Sequence, residues 1–338
     1  MLYWTLFIAF FAAFLGTGLL RSYALACNVI DIPNARSSHI APTPRGGGLS
    51  IVIVFLLVLV LLSHEGIITT RELAGLMGSG TLIAIIGFVD DHRHIAARWR
   101  LLGHFASAGW GVLWFKGLPS LDLGFIEISS SWIVNTIAVF YLVWLLNLYN
   151  FMDGIDGIAG VEAISVALSG SLLYFSIGEK AYIWPPIILS FAVFGFLLWN
   201  FPRARIFMGD AGSGFLGIML GLLSIQAAWI KPELFWCWLI LLSVFVSDAT
   251  CTLLRRLLRG DKIYEAHRSH AYQWASRKFS SHKVVTLAVA AINIVWLLPC
   301  AYIVSQGYLS GILGLLIAYL PVLVLVIFFK AGKKEIRL

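Results

Sequence analysis

Paired and regularly spaced carboxylates are the chemistry that this chain offers. Asp90 and Asp91 stand side by side in "GFVDDHRH", which runs from Gly87 to His94. Asp153 and Asp156 follow Asn147 and Asn150 at three-residue intervals in "NLYNFMDGIDGIAG", from Asn147 to Gly160. Asp210 lies in "NFPRARIFMGDAGSGFLG", from Asn200 to Gly217. Adjacent residues on a helix point about 100° apart, so Asp90 and Asp91 suit two jobs, one holding a metal while the other acts as a base. Acids at a helix C-terminus oppose its dipole, a penalty that a divalent cation would offset. Carboxylates without thiolates favour Mg2+ or Mn2+, and Mg2+ joins one or two carboxylates to substrate phosphates. The Asn and Asp side chains at third-residue spacing can line one face of a helix or tight turn. Their amides and carboxylates read hydroxyl and imide groups.

Two further segments and the surroundings of Asp210 add basic and small residues. "RSSHIAPTPRGGGLS", Arg36 to Ser50, combines His39, Arg45 and three glycines at the entrance to an apolar stretch. Its glycines let backbone approach a ligand, and Arg45 can meet a phosphate. Gly212 and Gly214 open an apolar helix whose N-terminus can receive phosphate. Phe207, three residues before Asp210, can stack on a base. "EAHRSHAYQ" carries His267, Arg268 and His270, which suit an anionic group and make a poor zinc set. A solvated turn or helix cap accounts for any one segment, but not for five with matching chemistry. Cys27, Cys237, Cys251 and Cys300 form no C-x-x-C pair and read as packing residues.

These residues hang on a membrane scaffold. The chain has 338 residues, 60% hydrophobic and 12% charged, against about 25% charged in soluble domains. Eleven apolar stretches approach the ~20 residues that cross a bilayer as helix: about 2–20, 46–63, 73–89, 101–116, 131–149, 158–177, 182–199, 213–230, 234–254, 284–304 and 309–329. The pair 73–89 and 101–116 is the shortest, so the count is about eleven, or ten. The expected fold is an all-α, polytopic integral membrane helical bundle forming one domain over 1–338. The functional loops fall around 36–50, 90–100, 147–160, 200–214 and 255–283. Of the 24 Lys and Arg residues, only Arg71, Lys116, Lys180 and Lys231 lie in the alternate loops. The positive-inside rule then places the N-terminus outside and the C-terminus and all five segments in the cytoplasm. The net charge of +7 is thereby a matter of orientation, and no nucleic-acid partner is expected.

The motifs "PTPRGGG", "GFVDD", "NLYNFMDGIDGIAG", "RIFMGDAGSGFLG" and "HRSH", in this order, make the chain resemble the polyprenyl-phosphate N-acetylhexosamine-1-phosphate transferases (glycosyltransferase family 4). This family includes the phospho-MurNAc-pentapeptide translocase. The resemblance covers nearly the whole chain. It implies a bacterial inner-membrane enzyme that moves a HexNAc-1-phosphate from a UDP-activated amino sugar to undecaprenyl phosphate, releasing UMP, with Mg2+ or Mn2+. It implies that Asp90 deprotonates or orients the lipid phosphate and that Asp91 and Asp210 bind the metal. Phe207 would stack on uracil. Asn147, Asn150, Asp153, Gly154 and Asp156 would hold the nucleotide, Arg45 and Arg100 would contact phosphates, and His267, Arg268 and His270 would join the site, His270 among the catalytic groups. The translocase has three consecutive histidines where this chain has "HRSH", so the resemblance leans to the branch that starts O-antigen or other surface polysaccharides. The sugar is then GlcNAc or a relative such as N-acetylfucosamine or N-acetylquinovosamine. The family also allows a homodimer. Direct attack by the lipid phosphate is favoured over a covalent enzyme intermediate, because that phosphate is already a nucleophile.

The rival class is a membrane transporter for an ion or anionic substrate, in which buried charges mark a path. Glu162 and Asp248, the two acids expected in mid-span, are the residues it would claim.

Overall fold

The computed structural model describes residues 2–33, 38–93, 95–124, 126–261 and 267–334. Arg36, His94, Lys262, Glu265, Ala266 and Arg337, named or counted above, lie outside them. Helices form nearly all of the described architecture: α1 Leu2–Ala26, α2 Leu49–His64, α3 Thr70–His92, α4 Ala97–Trp114, α5 Ser131–Met152, α6 Ile158–Ser176, α7 Trp184–Asn200, α8 Asp210–Ile230, α9 Pro232–Leu241, α10 Ser243–Leu258, α11 Ala271–Phe279, α12 His282–Ile292, α13 Leu298–Ser305 and α14 Gly311–Phe328. Two-residue antiparallel pairs join Ile30–Asp31 to Thr43–Pro44 and Leu121–Asp122 to Glu127–Ile128.

The chain is an all-α polytopic bundle. Each of the eleven expected spans is helical, but among the described residues eight helices are long and apolar enough to cross a membrane. The bent pair α9–α10 makes nine. The difference lies in α2 and α4. With 16 residues, α2 reaches about 24 Å, short of the ~30 Å hydrocarbon core. In α4, 18 residues long, Arg98, Arg100, His104 and Ser107 interrupt the apolar pattern.

The core is built around α8, which is buried without interruption from Ala211 to Ala228. It packs on α5, α3, α9 and α2. No hydrophobic drive separates helix from lipid inside a bilayer, so close approach through small residues must hold the bundle. A Cβ on Gly217 would sit 2.7 Å from Leu146 Cα and 2.8 Å from the Leu145 carbonyl oxygen, so α5 and α8 touch through backbone. By contrast, α1 and α14 expose rows of Leu, Phe, Ile and Val, as lipid-facing helices do.

Two spans are interrupted. The expected span 234–254 breaks at Leu242, where α9 and α10 diverge by 67°. Asp248 therefore lies in a separate helix that leads toward the "HRSH" segment. The span 284–304 contains a π-helical turn, Asn293–Leu297, which turns Asn293 toward Glu162. Asn293 Nδ2 donates to Glu162 Oε2 and to Ser165 Oγ, both at 2.7 Å.

Candidate active site

The ends of α3, α5 and α7 and the starts of α2, α8, α11 and α12 meet at one end of the bundle. Gly87 makes the first junction possible. A Cβ there would lie 2.3 Å from the Ala211 amide nitrogen, so the last turn of α3 rests against the first turn of α8. Asp91 follows on that turn, and its carboxylate accepts from the amides of Asp210 at 3.2 Å and Ala211 at 3.5 Å. Arg45 donates to the Asp91 carbonyl at 2.5 Å and lies 3.7 Å from its carboxylate. The dipole penalty on Asp91 is thus met by a second helix N-terminus and a guanidinium, in addition to whatever a cation supplies. Asp90 turns the other way. It accepts from the Ile95 amide at 2.7 Å and pairs with Arg100 at 2.7 Å, and the same Arg100 nitrogen is 3.5 Å from Asp210.

The glycine-rich segments serve this junction, which corrects the expectation that they approach a ligand. Phe207 donates to Pro44, Gly47 to Phe207 and Gly48 to Met208, all backbone to backbone at 2.8–2.9 Å. A Cβ on Gly48 would stand 2.5 Å from Gly212 Cα. The N-terminus of α8 is likewise not an open phosphate cradle, because Asp91 already takes its first amides. Gly48→Val must push backbone from backbone, so the detergent-solubilised protein should lose most of its thermal stability. Gly46→Ala, whose Cβ would meet nothing within 4 Å, carries only left-handed strain of about 1 kcal/mol. Thermal unfolding of the two variants checks this.

"NFMDGIDG" is half helix and half loop. Asn147 and Asn150 belong to α5, Asp153 caps its end, and Asp156 lies in the turn before α6. The four therefore do not share one helix face. Asn200 ties this loop to the next, accepting from the Gly157 amide and donating to the Ile206 carbonyl, both at 2.9 Å. His282 Nδ1 lies 3.4 Å from the Asp156 carboxylate, and Thr286 donates to the Asp156 carbonyl at 2.9 Å. Tyr272 donates to the Phe151 carbonyl at 3.1 Å, so α11 packs over the end of α5.

Between these segments lies a cavity of about 200 Å3. Arg45, Asp91, Asn150, Asp153, Gly154, Asp156, Phe207 and Asp210 line it, joined by Asp31, Asn200, Gln273 and His282. Phe207 stands edge-on to His39, with ring centroids 4.9 Å apart. Burial, then the charges of Asp210, Asp91 and Asp156, push the Asp153 carboxyl up to about 7. Because its folded value lies above the ordinary ~3.9, the ligand-free protein should lose stability as pH rises from about 4 to about 7. Thermal unfolding in chelator at pH 5 and pH 8 should differ less for Asp153→Asn than for the parent.

Other expected residues lie elsewhere. Asn147 donates to the Val143 carbonyl within α5 at 2.7 Å and does not line the cavity. Asp90 reaches the cavity through Arg100 and Asp210. Arg268 lines a wider adjoining groove of about 1120 Å3, with Arg203 and Lys283. His270, expected among the catalytic groups, is 3% exposed and faces Asp248 at 3.3 Å, so it holds a helix rather than the reacting atoms. His267 stacks on it, 4.9 Å between centroids, and burial followed by the His270 charge pushes its imidazole down to about 3. His282, Gln273 and Asn200 were not singled out. Asn200 and Gln273 stand inside quoted motifs and His282 opens α12 beyond one, but nothing in local spacing aims them inward.

The acids expected of a transporter are also in use. Asp248 accepts from the amides of Ala271 at 2.8 Å and Tyr272 at 2.9 Å, and Glu162 is tied to Asn293.

Residues 73–228, from α3 through α8, match the sequence model described as glycosyl transferase family 4. The chain is 24% identical over 287 residues to a "Probable undecaprenyl-phosphate N-acetylglucosaminyl 1-phosphate transferase" of Bacillus subtilis, covering 83% of this chain and 78% of that one. It is 26% identical over 289 residues to an "Undecaprenyl-phosphate alpha-N-acetylglucosaminyl 1-phosphate transferase" of Thermotoga maritima, covering 85% of each. Identity is 28% over 233 residues to a "Phospho-N-acetylmuramoyl-pentapeptide-transferase" of Streptococcus thermophilus, covering 64% of this chain and 66% of that one. The matched segment carries the junction of Asp90, Asp91 and Asp210 together with the "NFMDGIDG" loop, and over that segment the chain is similar to glycosyl transferase family 4.

Proposed function

We propose that this protein transfers a HexNAc-1-phosphate from a UDP-sugar to undecaprenyl phosphate, releasing UMP, at the cytoplasmic face of a bacterial inner membrane. The observation that carries the reading is the convergence of separated acidic motifs on one polar cavity at one end of an apolar bundle. A polar donor from water and a lipid acceptor from the bilayer can meet only at such an end. The names of the similar proteins support the reaction class. "HRSH" in place of three histidines supports a surface-polysaccharide role such as O-antigen initiation, with GlcNAc or a deoxy relative as the sugar. The wide basic face around Arg203, Arg268 and Lys283 supports a cytoplasmic orientation.

The residues fit Mg2+ as a partner of substrate rather than a resident ion. Among the described residues no three His, Cys, Asp or Glu side chains form a ligand set. Among the described residues, five carboxylates nevertheless face the cavity against one guanidinium, that of Arg45. Asp210 and Asp91 would hold the ion with the donor phosphates, and Asp153 would face it. When bound, Mg2+ offsets the charge of the diphosphate and of the leaving UMP. Phe207 and the "NFMDGIDG" loop would hold the uridine, with His282 fixing Asp156. Asp90 orients Arg100 toward the acceptor phosphate, and Arg45 contacts the donor. His267 and His270 position α11.

The test is direct. Purified protein in detergent, given undecaprenyl phosphate, Mg2+ and a panel of UDP-HexNAc donors, should release UMP with at least one of them. Silence across the panel from folded protein overturns the proposal. The same panel assigns the sugar.

A further inference from the structure

Behind Asp210, on the side away from the donor cavity, lies a second and much narrower space. It is walled by Arg100, His104, Asn150 and Asp210 and by apolar Ile83, Ile86 and Leu146. Its free volume is about 10 Å3, room for about one oxygen atom. His104 is 7% exposed, and its Nδ1 is buried with no partner in the chain. An orphaned ring nitrogen in such a place costs about 1–3 kcal/mol unless something fills it. The side chain of Asn147 lies beside the ring, which gives a place to the one amide of the "NLYN" motif that misses the donor cavity.

We propose that His104 is a further substrate-contacting residue of the reaction, hydrogen-bonding an oxygen of the acceptor phosphate in this narrow space beside Arg100. The inference rests on the function proposed above. Three features assign the space to the lipid rather than to the nucleotide. Asp210 and Asn150 separate it from the donor cavity while belonging to both. Apart from Arg100 and His104, its remaining walls are apolar or glycine. The outer faces of α3 and α4, which carry Ile86 and His104, are apolar and exposed at Ile85, Leu101 and Leu102, so a lipid tail can lie there while its phosphate tip turns inward. A phosphate oxygen satisfies the neutral ring in either tautomer, accepting from Nδ1–H or donating from P–OH. Arg100, already shared by Asp90 and Asp210, supplies the cationic partner.

Steady-state kinetics with the two substrates varied in turn test this. His104→Met keeps the volume and the helix but removes the hydrogen-bonding atoms. It should raise the KM for undecaprenyl phosphate roughly ten- to a hundredfold while leaving the KM for the UDP-sugar and the binding of UDP unchanged. His104→Gln restores a donor and an acceptor and should recover most of that loss. A structural role would move both KM values and the unfolding temperature together, and Gln would not rescue selectively. An unchanged acceptor KM in His104→Met, or an equal rise for both substrates, overturns the assignment. If the methionine variant does not fold, an unchanged acceptor KM in a folded His104→Leu does so instead. Turnover by the parent protein separates these outcomes from a failure of the proposed reaction itself.

Discussion

Asp210→Asn should cut UMP release by roughly 10²–10³-fold, the scale of losing one electrostatic group at a site of charge development, while the protein stays folded. Among the described residues, Asp210 is the one carboxylate that lines both the donor cavity and the narrow space behind it. Its side chain carries a long 3.5 Å contact to Arg100 and a hydrogen bond with the Asp90 carboxyl, and an Asn amide can meet both, so the substitution breaks little in the fold. Its backbone amide, which Asp91 accepts from, is untouched. Repulsion among Asp91, Asp153 and Asp210 also falls, so the unfolding temperature in chelator should hold or rise. Asp91→Asn offers the contrast. There one oxygen becomes an NH2 group facing the amides of α8, so stability and turnover fall together. Near-normal turnover by folded Asp210→Asn would remove it from the site.

The acids were legible because a chain so apolar leaves few reasons to keep them. Nine of the residues singled out from sequence, His39 among them, meet around one cavity, since motif spacing preserves local order and loops of adjacent helices have few places to go. What local spacing cannot carry is who pays for each charge. Asp91 is held by amides 119 and 120 positions away, contacts that exist only once α3 and α8 pack. The glycines read as ligand cradles because absent side chains look alike whether the neighbour is a phosphate or another backbone. Gly48 meeting Gly212, and Gly87 meeting Ala211, resolve that in favour of backbone. His270 misled for a related reason. Its motif matched a catalytic position, but its ring turns to Asp248, a residue that hydropathy had placed in mid-span. The break at Leu242 was invisible because both halves of the bent pair are apolar enough to read as one helix.

Asp248→Ala should be the most damaging substitution outside the cavity. The carboxylate is 2% exposed and accepts from the amides of Ala271 and Tyr272 and from the Thr252 hydroxyl at 3.1 Å, besides facing His270. Its removal leaves buried donors without acceptors, a cost on the order of 3 kcal/mol. The strain falls on α11. That helix reaches the site through Tyr272 on the Phe151 carbonyl and through Gln273 in the cavity wall, and it leads directly into His282, which holds Asp156. The variant should therefore raise the KM for the UDP-sugar as well as lower the unfolding temperature. Amide exchange should rise first across 271–279, because local opening begins where the cap was lost. Asp248→Asn keeps one accepting oxygen and should fall between. A transporter would need Asp248 charged and accessible to an ion, whereas here both of its oxygens are engaged by one helix end. Unchanged exchange across 271–279 together with unchanged KM in Asp248→Ala would break the link between this buried acid and the donor site.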